Sequence, residues 1–112
     1  MFNFLKNFFK SNYTSLNGSD FRQQYEITPQ AVLLDVRTAA EYKRGSIKGA
    51  KNINLHDPAF QQKIEQLDKT RTYFVFCAAG ARSGSACKRM VAAGHQVFNL
   101  SGGINSWPNQ SK

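Results

Sequence analysis

The chain has 112 residues, 41% apolar and 20% charged, which is enough for one domain with a hydrophobic core and too short for two. Its 15 Lys and Arg against 7 Asp and Glu give a formal net charge of +8, which favours anionic partners without choosing among small anions, an acidic protein, a membrane surface or nucleic acid. Two cysteines are too few for a disulfide framework and point to a reducing compartment, and no apolar run is long enough to span a bilayer.

At the N-terminus, MFNFLKNFFK sets Phe2, Phe4, Leu5, Phe8 and Phe9 within one arc of roughly 160° at about 100° per residue, with Asn3, Lys6, Asn7 and Lys10 opposite. This predicts a short amphipathic helix. It either packs on its own domain or anchors residues 2–10 to a membrane surface or partner chain. Lys and Asn interrupt the apolar run and no small-residue cleavage site follows, which argues against a signal peptide. Residues 1–12 are read as an amphipathic segment and linker, and residues 13–112 as the domain. One short strand is expected near Tyr13 to Leu16. Ser19 is expected to N-cap a short helix over Asp20 to Tyr25.

Pro29 precedes AVLLDV, a continuous apolar run that predicts a strand buried on both faces. Thr38 and Glu41 stand at capping-box spacing, with Gly45 as the helix stop. A short strand is expected around Ala50 to Leu55. Asp57 and Pro58 read as N-cap and first residue of a helix whose apolar positions are Phe60, Ile64 and Leu67. TYFVF is a second buried strand, Ser83 to Ala93 a helix ended by Gly94, QVFNL a third buried strand, and GGINSW a last turn or helix. Strands alternating with helices argue for an α/β fold, a parallel sheet covered on both faces.

In such sheets, sites form beyond the carboxyl ends of the strands. That rule gathers Asp35 and Arg37, Cys77, and Ser101 to Gly103 at one edge. Ala78, Ala79, Gly80 and Ala81 leave the sulfur of Cys77 unobstructed. Curled round it, their N–H groups form an anion nest, and the helix beginning near Arg82 adds its positive end. A thiol of ordinary pKa about 8.5 is then shifted toward thiolate, the nucleophilic form. The alternative is a buried structural cysteine ending a strand, which the run of small residues and Arg82 argue against.

Four stretches carry a resemblance: LLDVR (33–37), EYKRGSIKGAKNINL (41–55), CAAGARS (77–83) and LSGGINSW (100–107). In this order they resemble the rhodanese-like sulfurtransferase domain from about Tyr13 to Trp107. The resemblance implies a five-stranded parallel sheet flanked by helices on both faces. It implies that Cys77 is the catalytic cysteine, carrying sulfane sulfur as a persulfide, and that Ala78, Ala79, Gly80, Ala81 and Arg82 form the active-site loop. It implies transfer from thiosulfate, polysulfide or a persulfide to a thiol, a protein acceptor or cyanide, in the cytoplasm, peripheral to the membrane if the N-terminal anchor operates.

Four residues separate Cys77 from Arg82, the spacing of the family's sulfurtransferases, whereas its phosphatases have five. A Cys-dependent phosphatase or arsenate reductase of the same fold, or a non-catalytic binding module, are the alternatives. No nucleic-acid motif is present, so no nucleic-acid partner is expected. No metal or organic cofactor is called for, since His56 and His95 lack ligand spacing. Ser46 replaces the histidine common in relatives, and the uncharged loop leaves the donor open among thiosulfate, polysulfides and persulfides. Asp35 and Arg37 are read as a charge network supporting the loop, and Cys87 as a core residue on the helix face of Met90 and Val91. Gly102 and Gly103 serve a tight turn, and Trp107 a packed closing position.

Overall fold

Apolar runs that alternate sides build the centre of the structure, a computed structural model that describes residues 13–109. The amphipathic segment expected at residues 2–10 lies outside the described residues. Five strands, β1 (Thr14–Leu16), β2 (Ala31–Asp35), β3 (Lys51–Asn52), β4 (Thr72–Phe76) and β5 (Gln96–Leu100), form one sheet in the order β1-β5-β4-β2-β3. Every pairing is parallel. The helices are α1 (Gly18–Ile27), α2 (Ala39–Arg44), α3 (Phe60–Glu65) and α4 (Ala81–Ala92), with a closing 3-10 turn at Ile104–Ser106.

Period-two alternation sends each strand's side chains into two separate cores. On one face, Val32, Leu34, Tyr73, Val75 and Val97 pack with Phe60 and Ile64 of α3 and Ala86, Cys87 and Met90 of α4. On the other, Leu33, Phe74, Phe76 and Leu100 pack with Phe21 of α1 and with Ile47 and Ala50. Aromatic rings close this second core: Phe21 meets Phe74 edge-on at 5.4 Å and Trp107 at 6.1 Å, which bears out the packed closing role read for Trp107.

The strand order fixes where a site can form. From β2 the chain moves outward to β3, and from β4 it moves the opposite way to β5, so the topology switches between β2 and β4. A crevice opens beyond the carboxyl ends of two strands whose connections diverge in this way. Asp35 and Phe76 are paired there in register, with Arg37 and Cys77 following each.

Several local expectations shift. Helix α1 begins at Gly18 rather than Asp20: Asn17, not Ser19, is its N-cap, and accepts from the Asp20 N–H at 2.8 Å. The helix also runs two residues past Tyr25. The Thr38–Glu41 capping box and the Gly45 stop form as read. The strand expected over Ala50 to Leu55 reduces to Lys51–Asn52, since Ile53 and Leu55 turn inward and bond to the carbonyls of Asp35 and Val36. Asp57 caps a turn instead of a helix: its side chain takes the Ala59 N–H and its carbonyl takes the Phe60 N–H, so α3 starts at Phe60. Helix α4 starts two residues before Ser83 and ends at Ala92, with Gly94 in the left-handed conformation that follows it.

Candidate active site

Alternation along β4 puts Cys77 on the same face as Tyr73 and Val75, toward α4. Small residues let the chain turn back at once. Gly80 adopts φ +101°, open to glycine and strained for any residue with a Cβ, and a Cβ there would collide with the Ser101 carbonyl oxygen. This turn starts α4 and aims two backbone donors at the sulfur. The Gly80 N–H lies 3.0 Å from Sγ and the Ser83 N–H 3.3 Å. The Ser83 hydroxyl is also 3.3 Å from Sγ, and donates to the Gly80 carbonyl oxygen at 3.2 Å in the arrangement seen. When the thiol ionises, that hydroxyl has a stronger acceptor in the sulfur.

Burial pushes the Cys77 thiol up. Hydrogen bonds from the Ser83 hydroxyl and from the N–H groups of Ser83, Gly80 and Ala79 outweigh it and hold the thiol below its ordinary value. Of the nest read from residues 78–81, the Gly80 N–H donates to the sulfur, and Ser83, beyond the loop, supplies a second N–H and a hydroxyl. The sequence reading left Ser83 out of the site. The available signal was a hydroxyl in the first turn of the helix that follows the loop. Cys87 lies one turn further along α4, fully buried, and burial followed by the nearby Cys77 charge drives its thiol far above the ordinary value. It is a core thiol, as expected.

Arg82, read from the sequence as the end of the active-site loop, turns to Glu41, with Nη1 to Oε1 at 2.8 Å and Nη2 to Oε2 at 3.0 Å, a bidentate pair in which each side chain is about a quarter exposed (28% and 24%). The same Glu41 closes the capping box of α2, taking the Thr38 N–H at 2.9 Å. The Arg82 pair and then the Thr38 N–H hold the Glu41 carboxyl at about 2. The Arg82 guanidinium is raised in turn, first by Glu41 and more weakly by the charges of Cys77 and Asp35. One ion pair thus links the first turn of α2 to the first turn of α4, across the mouth of the loop.

Asp35 and Arg37 form a buried pair. Arg37 Nη2 sits 2.8 Å from Asp35 Oδ2, and its Nε and backbone N–H also reach the carboxylate. Nη2 also donates to the Gly45 carbonyl at 2.7 Å, and Ser46 Oγ donates to Asp35 Oδ2 at 2.8 Å. The network therefore braces the chain between α2 and β3, through Gly45, Ser46 and Asn52. Ser46 thereby adds a donor to the buried carboxylate.

The Gly102–Gly103 turn supports the loop from the other side. The Ile104 N–H donates to the Cys77 carbonyl at 2.8 Å, and Gly103, at φ +78°, lies so close to the Ala78 carbonyl that a Cβ has no room. His95 is buried against Tyr73, and its Nε2 lies 2.6 Å from the Ile64 carbonyl. No group of three or more His, Cys, Asp or Glu among the described residues is arranged to hold a metal ion.

A cysteine held by backbone N–H groups, at the switch point of a five-stranded parallel sheet, defines a class of α/β proteins, and the comparisons agree with it. A model of the Rhodanese-like domain matches residues 19–110. The chain is 32% identical over 97 residues to the putative sulfurtransferase YtwF of Bacillus subtilis, covering 87% of this chain and 92% of that protein. It is 31% identical over 93 residues to a sulfurtransferase of Allochromatium vinosum, covering 82% and 85%. Among solved structures, a rhodanese-related protein from Thermoplasma volcanium superposes with a TM-score of 0.73 at 32% identity, covering 85% of this chain and 90% of that one. The chain belongs to the rhodanese-like domain family.

Proposed function

We propose that the protein is a sulfurtransferase in which Cys77 accepts sulfane sulfur and passes it on. The observation that carries this is the pair of N–H donors on Sγ, from Gly80 and Ser83, with the Ser83 hydroxyl accepting from the thiol and within reach to donate once it ionises, which favours a thiolate at the floor of an otherwise side-chain-poor loop. Cys77 is only 1% exposed, so a donor has to arrive end-on through the loop. A terminal sulfur atom is slim enough to do so.

The thiolate attacks the outer sulfur of the donor, the donor's S–S bond breaks, and its electron pair leaves on sulfite or an alkyl thiolate. In the persulfide so formed, the N–H groups that held the thiolate remain around the inner sulfur. A thiol or cyanide then attacks the outer sulfur and Cys77 departs again as thiolate, the form the nest favours. The reaction needs no metal or organic cofactor. A small anionic sulfur donor, a thiol or protein acceptor and a cytoplasmic setting complete the reading. Residues 2–10 are proposed to meet either the domain itself, a membrane surface or a partner, outside the chemistry.

The test is turnover. Purified protein supplied with thiosulfate and cyanide, or with an alkyl persulfide and cyanide, is expected to form thiocyanate. The Cys77→Ser protein is expected to form none above the uncatalysed rate. Equal thiocyanate production by the two proteins removes Cys77 from the reaction.

A further inference from the structure

Both arginines near the carboxyl ends of β2 and β4 are already paired. Arg37 holds the Asp35 carboxylate and the Gly45 carbonyl. Arg82 holds Glu41 through two parallel bonds. Residues 78–81 carry no charged side chain, and the Gly80 and Ser83 N–H groups are spent on the sulfur itself. The Glu41 carboxylate thus offsets the Arg82 charge beside the loop, as Asp35 offsets that of Arg37. An incoming dianion finds the Arg82 guanidinium already matched by Glu41, whereas an alkyl persulfide group, with one negative charge at most against the two of thiosulfate, has less need of it.

We propose that the Glu41–Arg82 pair is a specificity device: it withholds the loop's guanidinium from incoming anions and biases Cys77 toward alkyl persulfide donors over thiosulfate. The inference rests on the reading of Cys77 as a sulfur acceptor. With an alkyl persulfide, Cys77 thiolate bonds to the outer sulfur, the donor S–S bond breaks and the electron pair leaves on the alkyl thiolate, giving a Cys77 persulfide. Glu41 touches no reacting atom. It is a positioning residue, acting through Arg82.

Glu41→Gln isolates the charge, because glutamine at the third helical position still accepts the Thr38 N–H and keeps the capping box. Two ratios are measured. The first is the rate of Cys77 alkylation by iodoacetate, an anion, relative to iodoacetamide, which is neutral, located by peptide mass. The second is the rate of sulfur loading from thiosulfate relative to cysteine persulfide. In Glu41→Gln both ratios are expected to rise on the order of tenfold, the thiosulfate gain appearing in KM rather than kcat. Arg82→Gln, which leaves Glu41 alone at the mouth, is expected to lower both. The double variant is expected to return both to or below the wild-type values. Unchanged ratios in a folded Glu41→Gln protein, or ratios that stay raised in the double variant, overturn the proposal. If the wild type loads from neither donor, the sulfur-transfer reading fails and the donor bias with it, while the alkylation ratio still reads the electrostatics separately.

Discussion

Ser83 sits where a hydroxyl and a backbone N–H from one residue converge on a single sulfur, and at the residue scale it is the most informative position in the site. Ser83→Ala keeps the N–H and removes the hydroxyl. The midpoint of Cys77 alkylation against pH is expected to rise relative to the wild type, and sulfur loading at neutral pH to fall by roughly tenfold, the scale of one hydrogen bond to a charged group. A pH midpoint unmoved by the change would show that the hydroxyl does not stabilise the anion. Cys87 gives the opposite expectation. Cys87→Ala opens a small gap in the core and is expected to cost about 1 to 2 kcal/mol in urea unfolding, with sulfur transfer within about twofold of wild type. A collapse of turnover in a folded protein would make Cys87 a participant.

Between elements, the decisive contact is that of the Gly102–Gly103 turn with the cysteine loop. At Gly103 a Cβ would have to enter the space of the Ala78 carbonyl, at a φ of +78° that also disfavours it. Gly103→Ala is expected to displace the loop and reduce sulfur transfer by at least about tenfold, while far-ultraviolet circular dichroism stays that of the wild type. Full activity in that variant would mean that the turn does not position the loop. The same contact shows what the sequence could and could not reveal. The strands AVLLD and TYFVF were legible because both faces are buried, so each carries four apolar residues in a row. The Thr38–Glu41 box was legible because both partners lie within one helical turn. Helix starts were less so: Asn17 and Ser19 are both good caps, and Asp57 satisfies a turn as readily as a helix. The Glu41–Arg82 pair spans 41 residues, and the contacts of Gly103 and Ile104 with the loop are similarly remote. Nothing in local spacing signals such meetings, so the loop was legible as a stretch of sequence while the Glu41 partner of Arg82 was not.

For the whole molecule, the Glu41 carboxyl makes stability depend on acid. Its value of about 2 in the folded protein lies below the ordinary 4.5. The unfolded chain therefore binds this proton first as pH falls. The contribution is complete above about pH 4.5 and is lost progressively toward pH 2. Because the pair is partly exposed, about 1 kcal/mol is the expected size. The urea stability difference between wild type and Glu41→Gln is therefore expected to shrink by about this amount between neutral pH and about pH 2.5. A difference that stays constant would mean that the pair does not stabilise the fold. The family match begins at residue 19. Deleting residues 1–10 is accordingly expected to leave sulfur transfer nearly unchanged and to alter solubility, self-association or liposome binding. Loss of turnover in a truncated protein that remains folded would assign that segment to the site.

The central claim, that Cys77 carries the sulfur, is tested most directly by the mass of the intact protein. Wild type incubated with an alkyl persulfide or thiosulfate, then freed of small molecules, is expected to gain the mass of one sulfur atom. Peptide analysis should place it on Cys77, and cyanide or a thiol should remove it. Cys77→Ser should gain nothing. A sulfur adduct of equal yield on Cys87 or in the Cys77→Ser protein, or no adduct on wild type from either donor, would contradict the account.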